Sequence, residues 1–221
     1  MLTILINKNR KNTLNIVVLL LFIIGLLACG GGNVNNQKTT DEWPDTKWYQ
    51  LENENLKLRI PTQLKRSSRY RIHEDLKIIA NDSTRLRLVQ NSLESLEFKD
   101  AEIDVLIDTT KDYRIIIICN IGLIEFDKTD ATVLKQRLKS KYENDALNNP
   151  DMEFSEITAQ IKQNSNHKLL RYSIEIQNKF SYDKVYHSLY YLNGDSYTLV
   201  VYEYSEDEES FEKHLWTSKR G

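Results

Sequence analysis

Glycine is scarce in this sequence, and its scarcity excludes several kinds of site. Seven of the 221 residues are glycine. Gly25 lies in an N-terminal apolar run, Gly30 to Gly32 follow that run, and Gly221 is terminal, so only Gly122 and Gly194 remain in the body of the chain. A Walker-type phosphate loop, a dinucleotide fingerprint and a nucleophile elbow all need clustered glycines. The sequence therefore excludes these three sites.

Cysteine and histidine are also few, which limits metal and nucleophile chemistry. The chain has two cysteines and four histidines. The histidines are His73, His167, His187 and His214. They are scattered, with no His-Glu-x-x-His spacing and no neighbouring cysteine, so we predict no metal, no other cofactor and no catalytic residue. Cys119 ends the apolar run 115–119, where a cysteine is usually a small buried hydrophobic residue.

Neither sign of charge is in clear excess. Lysine and arginine number 30 and aspartate and glutamate 32, for a formal net charge of −2. Residues 1–28 contain three basic residues and no acidic one, so the chain without them carries a charge of −5. Proteins that bind nucleic acid usually present a basic surface. We therefore expect no nucleic-acid partner.

The N-terminus contains the longest apolar run of the chain. Lys8, Arg10 and Lys11 come first, the apolar run 14–27 follows, and the small residue Ala28 ends it. This order is typical of a secretory signal peptide. The run is only slightly shorter than the roughly 20 residues that span a bilayer, so an uncleaved membrane anchor is the alternative.

The residues Leu26-Leu27-Ala28-Cys29 resemble the lipobox of bacterial lipoproteins. The resemblance implies a diacylglyceryl thioether on Cys29, cleavage of the chain before Cys29, and acylation of the new amino terminus, for example by palmitate. More than one acyl chain anchors a protein stably in a membrane. We expect a lipoprotein signal peptide at 1–28, a short flexible tether at 29–42 and a single domain at 43–221.

Apolar runs predict the strands of this domain. Residues 56–60 alternate apolar and polar and stop at Pro61, which predicts a half-buried strand. Residues 103–107 and 114–119 predict a hairpin at the centre of the sheet, its second strand buried on both faces. Four more strands are predicted at 157–161, 168–177, 182–192 and 196–204, the last two joined by the hairpin signal Asn193-Gly194.

Three helices are predicted around this sheet. Asp82-Ser83-Thr84 offers an N-cap for a helix over about 83–97. Thr129-Asp130 begins a second helix, and Ser205-Glu206-Asp207-Glu208 has the form of a capping box for a third, which runs to about 218. The second helix is expected to bury Val133, Leu134, Leu138 and Tyr142, and the third Phe211, Leu215 and Trp216. The expected fold class is α+β, an antiparallel β-sheet flanked by about three helices.

The order of these elements resembles the PsbP-like fold, which the photosystem II extrinsic subunit, the Mog-type Ran-binding factors and many bacterial lipoproteins share. The resemblance is carried by the strand that ends in Ile60-Pro61, by the Tyr-rich hairpin, and by a terminal helix with Phe211 and Ser218. It covers about residues 48–219. It implies a domain that acts mainly by binding proteins and not by catalysis.

These observations predict a lipid-anchored accessory protein of a bacterial cell envelope, held at the membrane, with an envelope protein as its partner. The leaflet and the face of the membrane stay open. The expected partner surface is the Tyr-rich hairpin together with the groove beside the C-terminal helix. Its tyrosines are Tyr186, Tyr190, Tyr197 and Tyr202. Tyrosines at alternate positions can form a stacking platform, although β-propensity alone also enriches tyrosine in strands.

Two alternatives from other classes stay open. The first is a hydrolase whose site is built from dispersed Asp, Glu and His residues, which requires a histidine within hydrogen-bond reach of a carboxylate in a concave pocket. The second is a carrier of a lipid or small ligand, which requires an apolar cavity in place of a filled core.

Overall fold

The computed structural model describes residues 45–51, 55–67, 74, 103–108 and 114–221. Asp45–Gly221 forms a compact unit, which lies within the predicted domain. The predicted signal peptide, the tether with Cys29, the helix predicted at 83–97 and His73 lie outside the described residues. In the described part of the chain, no helix is both long enough and apolar enough to cross a membrane.

Antiparallel strands dominate the described residues. The strands are β1 (Thr46–Gln50), β2 (Leu56–Pro61), β3 (Lys65–Ser67), β4 (Ile103–Asp108), β5 (Arg114–Asn120), β6 (Met152–Phe154), β7 (Thr158–Gln163), β8 (Lys168–Asn178), β9 (Lys184–Asn193), β10 (Thr198–Ser205) and β11 (Lys219–Arg220). The helices are α1 (Lys128–Asn148) and α2 (Glu212–Leu215). The strands predicted from apolar runs are thus confirmed, and each strand pair is antiparallel.

The strands form two sheets. The larger sheet has the order β3-β4-β5-β10-β9-β8-β6, and β7 also pairs with β8. The smaller sheet has the order β1-β2-β11. Strand β11 pairs Lys219 with Lys57 and Arg220 with Leu56. The first and last described strands therefore lie in the same small sheet.

The β4–β5 hairpin lies inside the larger sheet, as its continuous apolar sequence predicted. Leu106 pairs with Ile116. Because successive side chains of a strand point to opposite faces, Ile115 and Ile117 pack on one face of the sheet, and Ile116 and Ile118 pack on the other. Burial on both faces explains why this run shows no alternation of apolar and polar residues.

A separate hydrophobic core covers each face of the larger sheet. The helix-side core includes Val105, Ile115, Ile117, Ala131, Tyr142, Leu170, Tyr172, Leu189, Val200 and Tyr204. The sheet-side core, which the smaller sheet and α2 cover, includes Leu56, Leu58, Ile60, Leu106, Ile116, Ile118, Tyr190, Leu192, Val201, Phe211 and Leu215. Cys119 is 1% exposed, which confirms that it is a small buried residue.

Helix α1 begins slightly earlier than predicted. Its N-cap is Asp127, whose Oδ1 accepts the backbone N–H groups of Thr129 (2.6 Å) and Asp130 (3.0 Å). The Asp130 carboxylate accepts the Asp127 N–H in return, at 2.9 Å. This reciprocal capping box satisfies N–H groups that the first turn of a helix leaves free.

The core-facing side of α1 is close to the predicted one. Leu134 and Leu138 pack against the helix-side core, and Tyr142 is buried in it. Val133 is 43% exposed, so its predicted burial is wrong. Neighbouring residues on a helix point about 100° apart, so residues 133 and 134 cannot both point directly at the core.

The closing helix predicted over 205–218 is wrong in its extent. Helix α2 has four residues, and Ser205 is the last residue of β10. The Ser205 hydroxyl donates to Asp207 Oδ1 (3.0 Å), which also accepts the Glu209 N–H (2.9 Å). The predicted capping box thus spans the end of β10 and the loop that precedes the helix. Among the described residues, α1 and α2 are the helices present, instead of the expected three or so.

The β9–β10 hairpin confirms the Asn193-Gly194 signal. Gly194 N–H donates to the Tyr197 carbonyl oxygen at 3.0 Å. The Tyr197 side chain is buried, and its hydroxyl lies 2.9 Å from Ser218 Oγ and 3.2 Å from His167 Nε2. A Cβ on Gly194 would lie 2.7 Å from that hydroxyl oxygen. Glycine is needed here because a larger residue would overlap the anchored Tyr197 ring.

We expect Gly194→Ala to lower the free energy of unfolding by about 1–3 kcal/mol, the usual effect of overpacking a well-packed site. Gly122→Ala is the matched control, because no atom lies within 4 Å of its Cβ position and only its positive φ of +76° opposes the substitution. Urea denaturation of both variants measures the difference. Equal stability of Gly194→Ala and the parent chain would contradict the steric role of this position.

Candidate functional site

The four tyrosines predicted as a partner surface do not share an exposed face. Tyr190 is fully buried and Tyr197 is 4% exposed, and both lie in the sheet-side core. Tyr202 packs against the helix-side core on the opposite face of the sheet, and Tyr186 is half-buried. The register explains the separation, because Tyr190 pairs with Val201 and not with its neighbour Tyr202. The prediction that these four tyrosines form one exposed platform is therefore wrong.

A polar cleft of about 380 Å³ lies beside the loop that precedes α2, and the groove predicted beside the C-terminal helix stays a prediction. Strands β8, β9 and β10 form its floor. Ser173 pairs with Ser188, and Ser188 pairs with Glu203, so these three polar side chains lie in a row across the sheet. The loop 205–210 and the segment 155–158 supply further lining residues. The cleft is therefore rich in hydroxyl and carboxylate groups.

A buried ion pair lies at one side of the cleft. Glu203 is 2% exposed, Arg114 is 6% exposed, and Arg114 Nε lies 3.4 Å from Glu203 Oε1. Glu203 Oε2 accepts the Tyr190 O–H (2.5 Å) and the Phe211 N–H (2.9 Å). Burial raises the pKa of the Glu203 carboxyl above its usual range, against the hydrogen bonds and the arginines nearby, which lower it. Oε2 is therefore hydrogen-bonded, whereas Oε1 and Arg114 Nε are buried without a hydrogen bond and contact each other only as an ion pair.

Arg114 also holds the loop that borders the cleft. Its Nη2 lies 3.2 Å from Asp207 Oδ1 and donates to the backbone carbonyl oxygen of Glu209. Its Nη1 lies 3.8 Å from Glu209 Oε2. Charge-assisted hydrogen bonds are roughly twice as strong as neutral ones. One buried guanidinium therefore connects strand β10 to the loop 205–210.

Arg171 lines the cleft from strand β8. Its guanidinium carbon lies 5.6 Å from the centroid of the Tyr190 ring, and its Nη2 lies 3.4 Å from Ser188 Oγ. Its Nη1 lies 3.6 Å from Glu212 Oε2, and Glu212 Oε1 accepts a hydrogen bond from Lys162 Nζ at 2.8 Å. These ion pairs connect α2 to β7 and β8. The cleft therefore offers both donors and acceptors to a polar partner.

Of the three described histidines, His187 and His167 contact hydroxyl groups, and the His214 ring packs against Phe211 with the centroids 5.0 Å apart. His187 Nδ1 is hydrogen-bonded to the Tyr142 hydroxyl, and burial lowers the pKa of His187 to about 3. His167 Nε2 lies 3.2 Å from the hydroxyl oxygens of both Tyr197 and Ser218. These bonds do not supply the histidine–carboxylate pair that the hydrolase alternative requires. Within the described ranges, no group of three or more His, Cys, Asp and Glu side chains could hold a metal ion.

A second cavity, of about 630 Å³, lies beside α1. Apolar side chains such as Met152, Phe154 and Ile157 line it, together with the cationic side chains of Lys135 and Lys139. Met152 and Ile157 also belong to the helix-side core. If the protein were a carrier, its ligand would bind in this cavity. The carrier alternative stays a hypothesis.

The sequence analysis missed the buried charges Arg114 and Glu203. A signal was available, because each charged residue borders or interrupts a strongly apolar strand. Arg114 precedes four isoleucines, and Glu203 lies within the run 199–204. A buried charge needs a partner. Identifying the partner requires the β5–β10 register, in which Arg114 pairs with Ser205, two residues from Glu203 on the same face.

Comparison with known proteins places the chain close to none of them in sequence. No protein-family model matches it, and no curated protein matches it. Among solved structures it is similar to the solution structure of cyanobacterial PsbP (CyanoP) from Synechocystis sp. PCC 6803, with 10% sequence identity and a TM-score of 0.48. The similarity covers 80% of this chain and 93% of that chain. At this TM-score we draw nothing about fold or function from it.

Proposed function

We propose that the protein is a lipid-anchored accessory protein of a bacterial cell envelope that binds a protein partner and catalyses no reaction. The lipobox-like residues at 26–29 support the anchor. The polar cleft and the strand beside it support the binding role. The predicted partner surface is revised accordingly: the cleft replaces the tyrosine platform, of which only Tyr186 lines the cleft.

The observation that carries the binding role is the open edge of β7. This strand pairs with β8, and among the described residues no other strand pairs with it. Five of its six residues are exposed, and Ile161 is partly buried. An open edge presents backbone N–H and C=O groups to which an extended segment of another protein can add as a further strand. Thr158 of β7 also lines the cleft, so one partner could contact both.

The test is photo-crosslinking in the native envelope. A photoreactive residue replaces Gln160, which is exposed on β7, and the same residue replaces Gln136 in a matched variant. Gln136 is exposed on α1, the helix that packs against the opposite face of the larger sheet. We expect one dominant crosslinked protein from position 160 and none from position 136. No product at position 160, or the same products at both positions, would overturn the proposed surface.

The lipid anchor has its own prediction. Because the thiol of Cys29 would accept the diacylglyceryl group, we expect Cys29→Ala to leave the precursor uncleaved and without lipid. Mass spectrometry of the membrane fraction distinguishes the precursor from the mature form by the mass of residues 1–28 and of the acyl chains. A Cys29→Ala chain of normal mature size in the membrane would refute the assignment.

A further inference from the structure

The outer face of the smaller sheet carries a cluster of basic residues. Leu56, Leu58 and Ile60 of β2 are buried in the sheet-side core. Since side chains alternate along a strand, Lys57 and Arg59 point to the outer face. The register adds Lys219 of β11 opposite Lys57. Three cationic side chains from two strands are therefore neighbours on this face.

An exposed tryptophan lies among these cations. Trp48 of β1 pairs with Arg59 and is 45% exposed. The Lys219 Nζ lies 4.2 Å, the Arg59 Cζ 5.5 Å and the Lys57 Nζ 5.9 Å from the centroid of a Trp48 ring. We call Trp48, Lys57, Arg59 and Lys219 the basic-aromatic face. Attraction to the ring holds each cation near it, and the like charges repel one another at this spacing.

The charge of this face contrasts with that of the whole chain. The formal net charge is −2, so a cluster of three cations does not follow from an excess of basic residues in the chain. An anion bound between the cations would relieve their mutual repulsion. A tryptophan between lysines and an arginine is the combination found at membrane interfaces, where the indole ring sits at the level of the lipid headgroups.

We propose that the basic-aromatic face binds the surface of a phospholipid bilayer that contains anionic lipids. Lysine and arginine near such a surface are attracted to its negative potential, and tryptophan adds an interfacial contact. Trp48 lies 19 residues after Cys29, in the first strand that the structure describes. Of the strands described, β1 with Trp48 is therefore nearest in sequence to the proposed lipid attachment, and binding of the face would orient the domain on the membrane.

The test uses residues 30–221, which lack Cys29 and contain the complete compact unit Asp45–Gly221. Co-sedimentation compares vesicles of equal parts phosphatidylglycerol and phosphatidylcholine with vesicles of phosphatidylcholine alone. We expect binding to the anionic vesicles only, and a decrease in binding as salt is added. No binding to the anionic vesicles, or equal binding to both kinds, would overturn the proposal.

Matched double variants locate the binding. Lys57→Gln with Lys219→Gln is expected to weaken binding at least about tenfold, because each lysine near an anionic surface contributes to the attraction. Lys128→Gln with Arg137→Gln removes the same charge from exposed positions of α1, neither of which lines a cavity described above, and is expected to bind like the parent chain. Equal losses in the two double variants would show that net charge and not this face determines binding, and would overturn the proposal.

A third double variant controls for folding. Lys57→Arg with Lys219→Arg keeps both charges and is expected to keep the binding, while a loss of binding in this variant would refute the electrostatic basis. The assay is independent of acylation. Absence of lipid on Cys29 in cells would overturn the proposed anchor and leave the vesicle result standing, so the two failures are distinguishable.

Discussion

Arg114→Met is expected to lower the free energy of unfolding by about 3–5 kcal/mol, the typical effect of removing one partner of a buried ion pair. The methionine fills much of the space, but Glu203 then lies in the core without its guanidinium neighbour at 3.4 Å. The loop 205–210 also loses the contacts of Arg114 with Asp207 and Glu209. Urea denaturation at neutral pH measures the change.

A double variant separates charge from packing. Arg114→Met combined with Glu203→Gln removes both charges of the buried pair, and the glutamine can still accept the Tyr190 O–H and the Phe211 N–H that Glu203 Oε2 accepts now. We expect this variant to be more stable than Arg114→Met alone, because no uncompensated buried charge remains. If the double variant were no more stable than the single one, the loss would come from packing and the ion-pair account would fail.

The loss in free energy of unfolding caused by Arg114→Met is also expected to depend on pH. Burial already raises the pKa of Glu203 in the folded parent chain, and removal of the arginine raises it further. A carboxyl with a raised pKa binds its proton more tightly in the folded state than in the unfolded state, so its contribution to stability is largest at low pH and is lost as pH rises through the folded pKa. The difference between variant and parent should therefore be smaller at pH 5 than at pH 8.

A second large effect is expected for His187 at acid pH. Its ring stacks on Tyr204, with centroids 4.3 Å apart and planes 5° from parallel. Burial, and to a smaller extent the charge of Lys141, lowers its pKa from 6.5 to about 3. The unfolded chain therefore binds a proton below pH 6.5 that the folded chain does not bind. Stability is fully present above that pH and falls by about 1.4 kcal/mol per pH unit as pH decreases toward 3.

His187→Phe removes this acid sensitivity. The phenyl ring can keep the stack on Tyr204. The variant loses the hydrogen bond to the Tyr142 hydroxyl, which costs stability. It also loses the His187 Nε2 atom, which is buried without a hydrogen-bond partner in the described structure, so its removal offsets part of that cost. We expect a loss of no more than about 1 kcal/mol at pH 7. Between pH 7 and pH 4 the difference in stability should shift in favour of the variant by up to about 3 kcal/mol. The variant should therefore be the more stable chain at pH 4. Urea denaturation from pH 4 to pH 8 tests this, and parallel curves would contradict it.

The sequence predicted the strands better than it predicted the closing helix and the partner surface. Strands β4, β5, β8, β9 and β10 were predictable because burial on one or both faces leaves a local pattern of apolar residues. The closing helix was not predicted correctly, because the pattern Ser205-Glu206-Asp207-Glu208 satisfies the local rule for a capping box. Long-range contacts with Arg114 hold these residues in a loop instead, and no window of neighbouring residues contains that information.

The partner surface shows the same limit. Tyrosines 186, 190, 197 and 202 are close in sequence, and local periodicity alone could not show that Tyr202 belongs to one core and Tyr190 to the other. The basic-aromatic face was equally inaccessible. Trp48, Lys57 and Lys219 come from three separate segments, and only the pairing of β1, β2 and β11 brings them together.

The sequence by itself determined the properties that depend on short-range order. These are the lipobox-like end of the N-terminal apolar run, the absence of glycine-rich phosphate loops, the antiparallel strands and the hairpin at Asn193-Gly194. Tertiary structure alone decided which charges are buried as partners, as with Arg114 and Glu203, and which side chains share a face. The physical reason is that strand register, a long-range property, determines the neighbours of each side chain, whereas propensity and periodicity are local.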